Sequence, residues 1–410
     1  MERTLAERIH ENLGPTTLQR SDLPQDTLSL GVADEGRQPY HVSKHIREAA
    51  KHAIDHPGND ILYTPTAGMM DLRETIAEKC EKQNKFEANP NSEIAVTPGT
   101  QMATFCAIQC LINPGDKVLI PDPEYNSFEE IVRYAGGVPV RFPLREAEDA
   151  QLRFDAGAFE NLASQQTKLM IFSNPNNPAG YLYTRDDLEV ISDAVQRNDL
   201  LVFTDDLYEN LTFDSREHIS FASLPGMKER TTTIMGVSKT ESMQLFRVGY
   251  VVAPKWTIKA IVQLIDMICI RTSYVSQKAL LATLNEPRAI KENRIRYHRE
   301  CRDLVWSELN KMDGIRCNKP MGASYVFPNH QTLDQSSLDF ANHLLMTGKV
   351  EVIPGRRYGP VSGEGHFRLC FASNKERLRE GLRRIAVACE ELNQTVISRL
   401  EVLHGANSAR

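Results

Sequence analysis

The chain has 410 residues, 41% of them hydrophobic, with 48 Lys and Arg against 54 Asp and Glu and a formal charge of −6. That length fits a large domain with a smaller companion, and the apolar content is ample for two cores. With no basic excess and no Lys/Arg run interleaved with aromatics, nucleic acid is not expected as a partner. The first eight residues, Met1 to Arg8, carry charges of both signs, and nowhere do about eighteen uncharged apolar residues run together. No membrane segment is therefore expected, and the protein reads as soluble and cytoplasmic. The eight cysteines form no Cys-x-x-Cys pair, which suits reduced, mostly buried thiols and calls for no metal.

In chain order, the N-terminal segment 1–45 is expected to join the C-terminal part of the chain. From about Ile94 to Pro254 short apolar runs alternate with helical patterns. Ile94–Val96, Lys117–Ile120, Val138–Phe142, Lys168–Phe172, Leu200–Phe203, Thr232–Val237 and Gly249–Val252 read as seven strands. Met102–Leu111, Phe128–Tyr134 and Asp186–Val195 have the apolar spacing of helices. Alternation of this kind predicts an α/β fold with a mostly parallel sheet sandwiched by helices, over 46–285. Trp256–Ile270 reads as a helix leading out of this unit toward a long one around Pro287–Met312. After Gly314 short strand-like pieces (Ala323–Phe327, Val350–Ile353, His366–Phe371) precede a closing helix at Lys375–Leu392, predicting a smaller α+β domain over 286–410.

Ligands of open α/β sheets bind beyond the carboxyl ends of strands, so polar residues just after apolar runs are the first candidates. Thr97-Pro98-Gly99-Thr100-Gln101 follows a strand and opens a helix, where backbone N–H groups can cradle a phosphate; alone, such a Pro-Gly is ordinarily a turn. Phe172 to Gly180 holds two Asn-Pro units, which can present an asparagine amide rigidly. The strand Leu200–Phe203 leads to Asp205 and, three residues later, Tyr208. There a carboxylate can pair with a protonated ring nitrogen and a phenol with a phenolate oxygen, although capping or metal binding by Asp205 and Asp206 also fits. The run Ile234 to Val237 ends in Ser238-Lys239, followed by Arg247. A lysine at a buried strand end has its charged form disfavoured, which frees the amine to attack a carbonyl. Arg247 offers a planar fork for a phosphate.

Taken together, these segments resemble the class I/II aminotransferases, the fold type I pyridoxal 5'-phosphate (PLP) enzymes, from about Leu28 to Leu392. Asn174–Gly180 is similar to the family's NPxNPTG, Asp205 to Tyr208 to its D-E-x-Y, and Ser238-Lys239 with Arg247 to its S-K followed by R. The resemblance implies that Lys239 forms the internal aldimine and shuttles the proton, while Asp205 keeps the pyridine nitrogen protonated. It places Asn177 and Tyr208 on the 3'-oxygen, Tyr125 against the ring, and Gly99, Thr100, Gln101, Ser238 and Arg247 on the phosphate. Tyr63 would reach the neighbouring subunit's phosphate, implying a homodimer with shared active sites. Arg368 would clamp the substrate α-carboxylate, with Gly31 approaching it through its backbone; by itself Arg368 also fits a surface salt bridge.

The sequence departs from the family at Gly236, where many members have a phosphate-binding serine, at Ala179 in place of threonine, and at Glu241 and Gln244-Leu245. Glu241 is either an extra carboxylate that favours a cationic substrate or a member of a structural ion pair. The expected reaction is transfer of the amino group of an L-amino acid to a 2-oxo acid. Elimination, substitution, cyclisation and oxidation of amino acids are the alternatives on this fold. A PLP-responsive regulator would need an N-terminal DNA-binding module, for which a match beginning by residue 28 leaves no room. A nucleotide-binding protein would need a G-x-G-x-x-G or P-loop signature, which is absent.

Overall fold

The computed structural model describes residues 23–31, 42–57, 63–148, 150–164 and 166–407. In chain order its strands are β1 (Leu28–Ser29), β2 (Ile94–Thr97), β3 (Lys117–Asp122), β4 (Val138–Glu146), β5 (Leu152–Phe154), β6 (Thr167–Ser173), β7 (Leu201–Asp205), β8 (Thr231–Gly236), β9 (Gly249–Val252), β10 (Tyr325–Val326), β11 (Val350–Glu351), β12 (Ile353–Pro354) and β13 (Phe367–Cys370).

Strands such as β2, β8 and β9 are buried along their whole length, as a sheet covered on both faces requires. The main sheet has the order β2-β9-β8-β7-β6-β3-β4-β5. All seven expected strands are present. The eighth, β5, is a short antiparallel extension on the end of β4. Strand β9 runs antiparallel to both neighbours, while β4, β3, β6, β7 and β8 are mutually parallel.

Side chains alternate across the sheet with the period of two that a strand imposes. Val118, Ile120, Leu169 and Ile171 face one core, which the helices Thr100–Leu111 and Lys255–Ile268 cover. Leu119, Met170 and Phe172 face another, packed against Leu188 and Ile191 of the helix Arg185–Arg197. That helix starts at a capping box in which Thr184 and Asp187 each satisfy the other's backbone N–H.

Two smaller sheets complete the fold. In one, β13 lies between β10 and β12, antiparallel to both. In the other, β1 pairs in parallel with β11, so residues near the N-terminus run beside strands from the far end of the chain. The helix Arg288–Leu309 connects the main sheet to this part and is anchored by Arg302, which has no exposed side-chain surface. Its guanidinium donates to both carboxylate oxygens of Asp214, at 2.7 and 2.9 Å, and lies 4.7 Å from the Phe213 ring. Among the described residues no helix is long and apolar enough to cross a membrane.

Several charges are buried where the connecting helix meets the sheet. Lys79 pairs with Glu209 at 2.7 Å and Arg294 with Glu286 at 3.2 Å. Glu241 is only 2% exposed, and one of its oxygens is buried with no hydrogen-bond partner among the described residues. It lines a cavity of about 20 Å³ with Lys79, Glu209 and Lys291. Burial pushes its carboxyl up to about 7, against the opposing pull of Arg294 and Lys291. Because the folded chain holds this proton more tightly than the unfolded chain, Glu241 weakens the fold as pH rises from the ordinary glutamate range through 7. Glu241→Gln is therefore expected to leave the melting temperature unchanged near pH 4 and to raise it above pH 7, by up to about 3 kcal/mol of stability. Calorimetric melting of both proteins across that range tests this; a pH-independent difference would contradict it.

Candidate active site

The carboxyl ends of β6, β7 and β8 lie side by side because their register is fixed: Ser173 pairs with Asp205, and Asp205 with Ile234. Beyond the strands the Asn174 N–H donates to the Asp205 carbonyl at 3.0 Å, and the Asp206 N–H to the Ile234 carbonyl at 2.9 Å. Three of the segments singled out in the sequence thus leave the sheet at one edge. Lys239 lies three residues beyond the end of β8, in a turn with Ser238 buried beside it. The Asp205 carboxyl accepts from the Leu207 N–H at 3.0 Å. Burial pushes this acid up to about 7; the Leu207 N–H draws it down and Asp206 adds to the rise. A cation set against Asp205 would restore its ionised form.

At the start of the helix Thr100–Leu111, Gly99 adopts φ 83°. A Cβ there would lie 2.5 Å from Nη2 of Arg247, so only glycine lets the guanidinium close on the helix N-terminus. Arg247 itself has a left-handed backbone, φ 48°, and donates from Nη1 to the Gln244 carbonyl at 2.9 Å. Gln101 accepts from the Tyr125 hydroxyl at 3.3 Å. An arginine fork beside unpaired helix N–H groups is a ready anion cradle. At Gly236 a Cβ would come within 2.7 Å of the Thr100 methyl and 3.1 Å of Leu207, so a serine in its place would have to displace the Thr100 side chain.

Arg368, on β13, is 7% exposed, which excludes a surface salt bridge. Its Nη1 donates to Asn177 Oδ1 at 2.9 Å and its Nη2 to the Gly31 carbonyl at 2.8 Å, while its buried Nε has no partner among the described residues. The guanidinium lies between the rings of Tyr325 and Tyr358, at 4.1 and 4.7 Å. This stacking holds a charge without neutralising it. Tyr208 joins the group through a 2.8 Å hydrogen bond between its hydroxyl and that of Tyr325, in which either phenol can donate. Tyr63 is placed differently: it is 70% exposed, with the Arg271 guanidinium 5.9 Å from its ring.

The structure therefore gathers Asp205, Asn177, Tyr208, Arg368 and Gly31 through hydrogen bonds and register, and Gly99, Thr100, Gln101, Tyr125 and Arg247 around the helix start. Reading the sequence missed Tyr325, Tyr358, Ser173 and Glu124. Glu124 stands next to Tyr125 in the sequence, and its full burial has no signal in the short polar stretch around it. The donor set fits a cofactor with an acidic phosphate at one end and a basic ring nitrogen at the other. The cradle that a Cβ would fill suits the phosphate, and the raised acid suits the nitrogen. The clamp suits a carboxylate ligand.

The family model for aminotransferase class I and II matches residues 27–385. The chain is 38% identical over 375 residues to an aspartate aminotransferase of Pyrococcus abyssi, covering 90% of this chain and 94% of that one. To aromatic-amino-acid aminotransferase 2 of Thermococcus litoralis it is 35% identical over 395 residues, covering 94% and 98%. Among solved structures, the aspartate aminotransferase of Thermus thermophilus with maleate superposes with a TM-score of 0.85 at 29% identity, covering 94% of this chain and all of that one. The aromatic aminotransferase of Pyrococcus horikoshii superposes with a TM-score of 0.84 at 35% identity, covering 90% and 97%. Matched along nearly its whole length to a family that is generally PLP-dependent, the chain belongs to the class I and II aminotransferases.

Proposed function

We propose that this aminotransferase uses PLP carried on Lys239 and moves the amino group of an L-amino acid to a 2-oxo acid. The observation that carries the reading is the 2.9 Å bond from Arg368 to Asn177, which sets a carboxylate clamp against the loop that leaves the sheet beside Asp205. When bound, the cofactor supplies an electron sink for the bonds at the substrate's Cα. The protein supplies position and proton transfer. Gly99, Thr100, Gln101, Ser238 and Arg247 hold the phosphate, Tyr125 packs on the ring, and Asp205 pairs with the ring nitrogen. Asn177 and Tyr208 hold the 3'-oxygen. Arg368 takes the α-carboxylate, its free Nε available to a second oxygen, with the Gly31 backbone beside it. The Lys239 amine moves the proton.

The reading extends to the assembly. Tyr63 would serve the phosphate site of a second copy, giving a homodimer; its 70% exposure supports this. The division into 46–285, carrying the cofactor, and 286–410 with 1–45, carrying the clamp, is supported by the pairing of Leu28–Ser29 with Val350–Glu351. A cytoplasmic location is supported by eight free thiols, as a reducing compartment maintains.

Absorbance titration of the holoenzyme with amino acids and then 2-oxo acids is expected to interconvert the aldehyde and amine forms of the cofactor. Borohydride treatment should fix the cofactor to Lys239, and Lys239→Ala should abolish both the fixation and turnover. Products formed without the amine stage would move the chemistry to elimination, cyclisation or oxidation. Asp205→Asn is expected to lower kcat/KM by about 100-fold or more, since it removes the partner of the ring nitrogen. Steady-state kinetics and the cofactor retained after gel filtration measure that loss, and wild-type values for both would remove Asp205 from the site.

A further inference from the structure

Glu124 has no exposed surface, yet its carboxylate accepts four hydrogen bonds. Oε1 accepts from the Tyr125 N–H at 2.7 Å and from the Ser173 hydroxyl at 2.5 Å. Oε2 accepts from the Ser173 N–H at 2.9 Å and from the Asn176 side-chain amide at 3.1 Å. The Ser173 hydroxyl, having given its proton to Glu124, accepts from the Asn177 N–H at 3.0 Å. The Glu124 N–H itself donates to the carbonyl of Tyr358, whose ring lies 4.7 Å from Arg368.

We propose that Glu124 is a positioning residue for substrate binding: its carboxylate locks the Tyr125 turn to the Ser173–Asn177 loop and so fixes where Arg368 presents its fork. This rests on the function proposed above. Two routes run from Glu124 to the guanidinium, one through the Ser173 hydroxyl and Asn177 to Nη1, the other through the Tyr358 backbone to the ring that stacks on it. Four donors converging on two oxygens require a group that only accepts. A protonated acid or a glutamine would turn an N–H or O–H of its own toward one of these donors. Burial raises the Glu124 acid and Asp205 adds to the rise, while the Ser173 and Tyr125 donors pull it down. It is these converging donors that favour the ionised form. A residue kept only for packing would not be a charge with this arrangement, because an apolar group of similar size would fill the space without leaving donors to satisfy.

The test uses the holoenzyme with Glu124→Gln, Ser173→Ala and the double variant. The readouts are KM and kcat for an amino acid, the dissociation constant of maleate as an unreactive carboxylate probe, and the melting temperature of the apoprotein. Glu124→Gln is expected to raise KM and the maleate constant about tenfold, with a smaller change in kcat, because a hydrogen bond to a charged group is lost. Ser173→Ala should act in the same direction, and the double variant should bind maleate no worse than the weaker single variant, since both break one link. A lowered melting temperature with unchanged KM and maleate affinity would reduce Glu124 to a structural staple and overturn the proposal, as would additive losses. Should Glu124→Gln fail to fold, Ser173→Ala alone decides: wild-type maleate affinity overturns the proposal and a tenfold loss supports it. A wild-type chain that does not transaminate sinks the functional reading itself, whereas wild-type turnover with unaltered variants sinks only this inference.

Discussion

The parallel register of β6, β7 and β8 is the constraint on which the rest of the site depends. Parallel strands emit their loops at the same end, and the alignment of Ser173, Asp205 and Ile234 means that the asparagine loop, the acid and the lysine turn start within neighbouring rungs of one ladder. No loop has to search for the others. The apolar interiors of these strands, packed on both faces, hold the register in turn. A one-residue slip would send Leu169 and Ile171 to the face built for Met170 and Phe172.

Three of the carboxyl groups along this edge and behind it, Glu124, Asp205 and Glu241, are treated differently by the protein. Glu124 is surrounded by donors, Asp205 accepts from a backbone N–H, and one Glu241 oxygen has no hydrogen-bond partner among the described residues. All three are pushed upward by burial, so what distinguishes them is what each can still do. Glu124 is saturated and can only hold. Asp205 keeps capacity for a positive partner that arrives with a ligand. Glu241 is balanced by Arg294 and Lys291 at a distance, in a pocket shaped by the helix that connects the two parts of the chain.

Much of this could be read in the sequence, for identifiable reasons. Most strands of the main sheet contain short apolar runs, and the loops that follow β6, β7 and β8 carry rare combinations of Asn, Pro, Asp and Lys, so both element and chemistry leave a local mark. Arg368 was recognisable because it stands within an apolar strand. The helices Lys44–Asp55, Met70–Lys79, Tyr274–Leu284 and Ser337–Met346 were not drawn from the pattern. Tyr274–Leu284 has no exposed residue, so neighbours on several sides erase its periodic signal, and Met70–Lys79 is poorly amphipathic because the charged Arg73 and Lys79 lie on its buried face. Tyr325 and Tyr358 were also missed, since stacking on Arg368 is a property of three residues far apart in the chain. Glu124 was hidden because its partners Ser173 and Asn176 lie 49 and 52 residues further along.

The hold of Gly31 on Arg368 spans 337 positions of the chain. As the chain is synthesised from its N-terminus, one half of this contact is present almost from the start and the other only near the end, after the whole main sheet has been made. On the proposed reading, the groups assigned to the phosphate all precede Arg368 in the chain, so the clamp is the last part of the site to be synthesised.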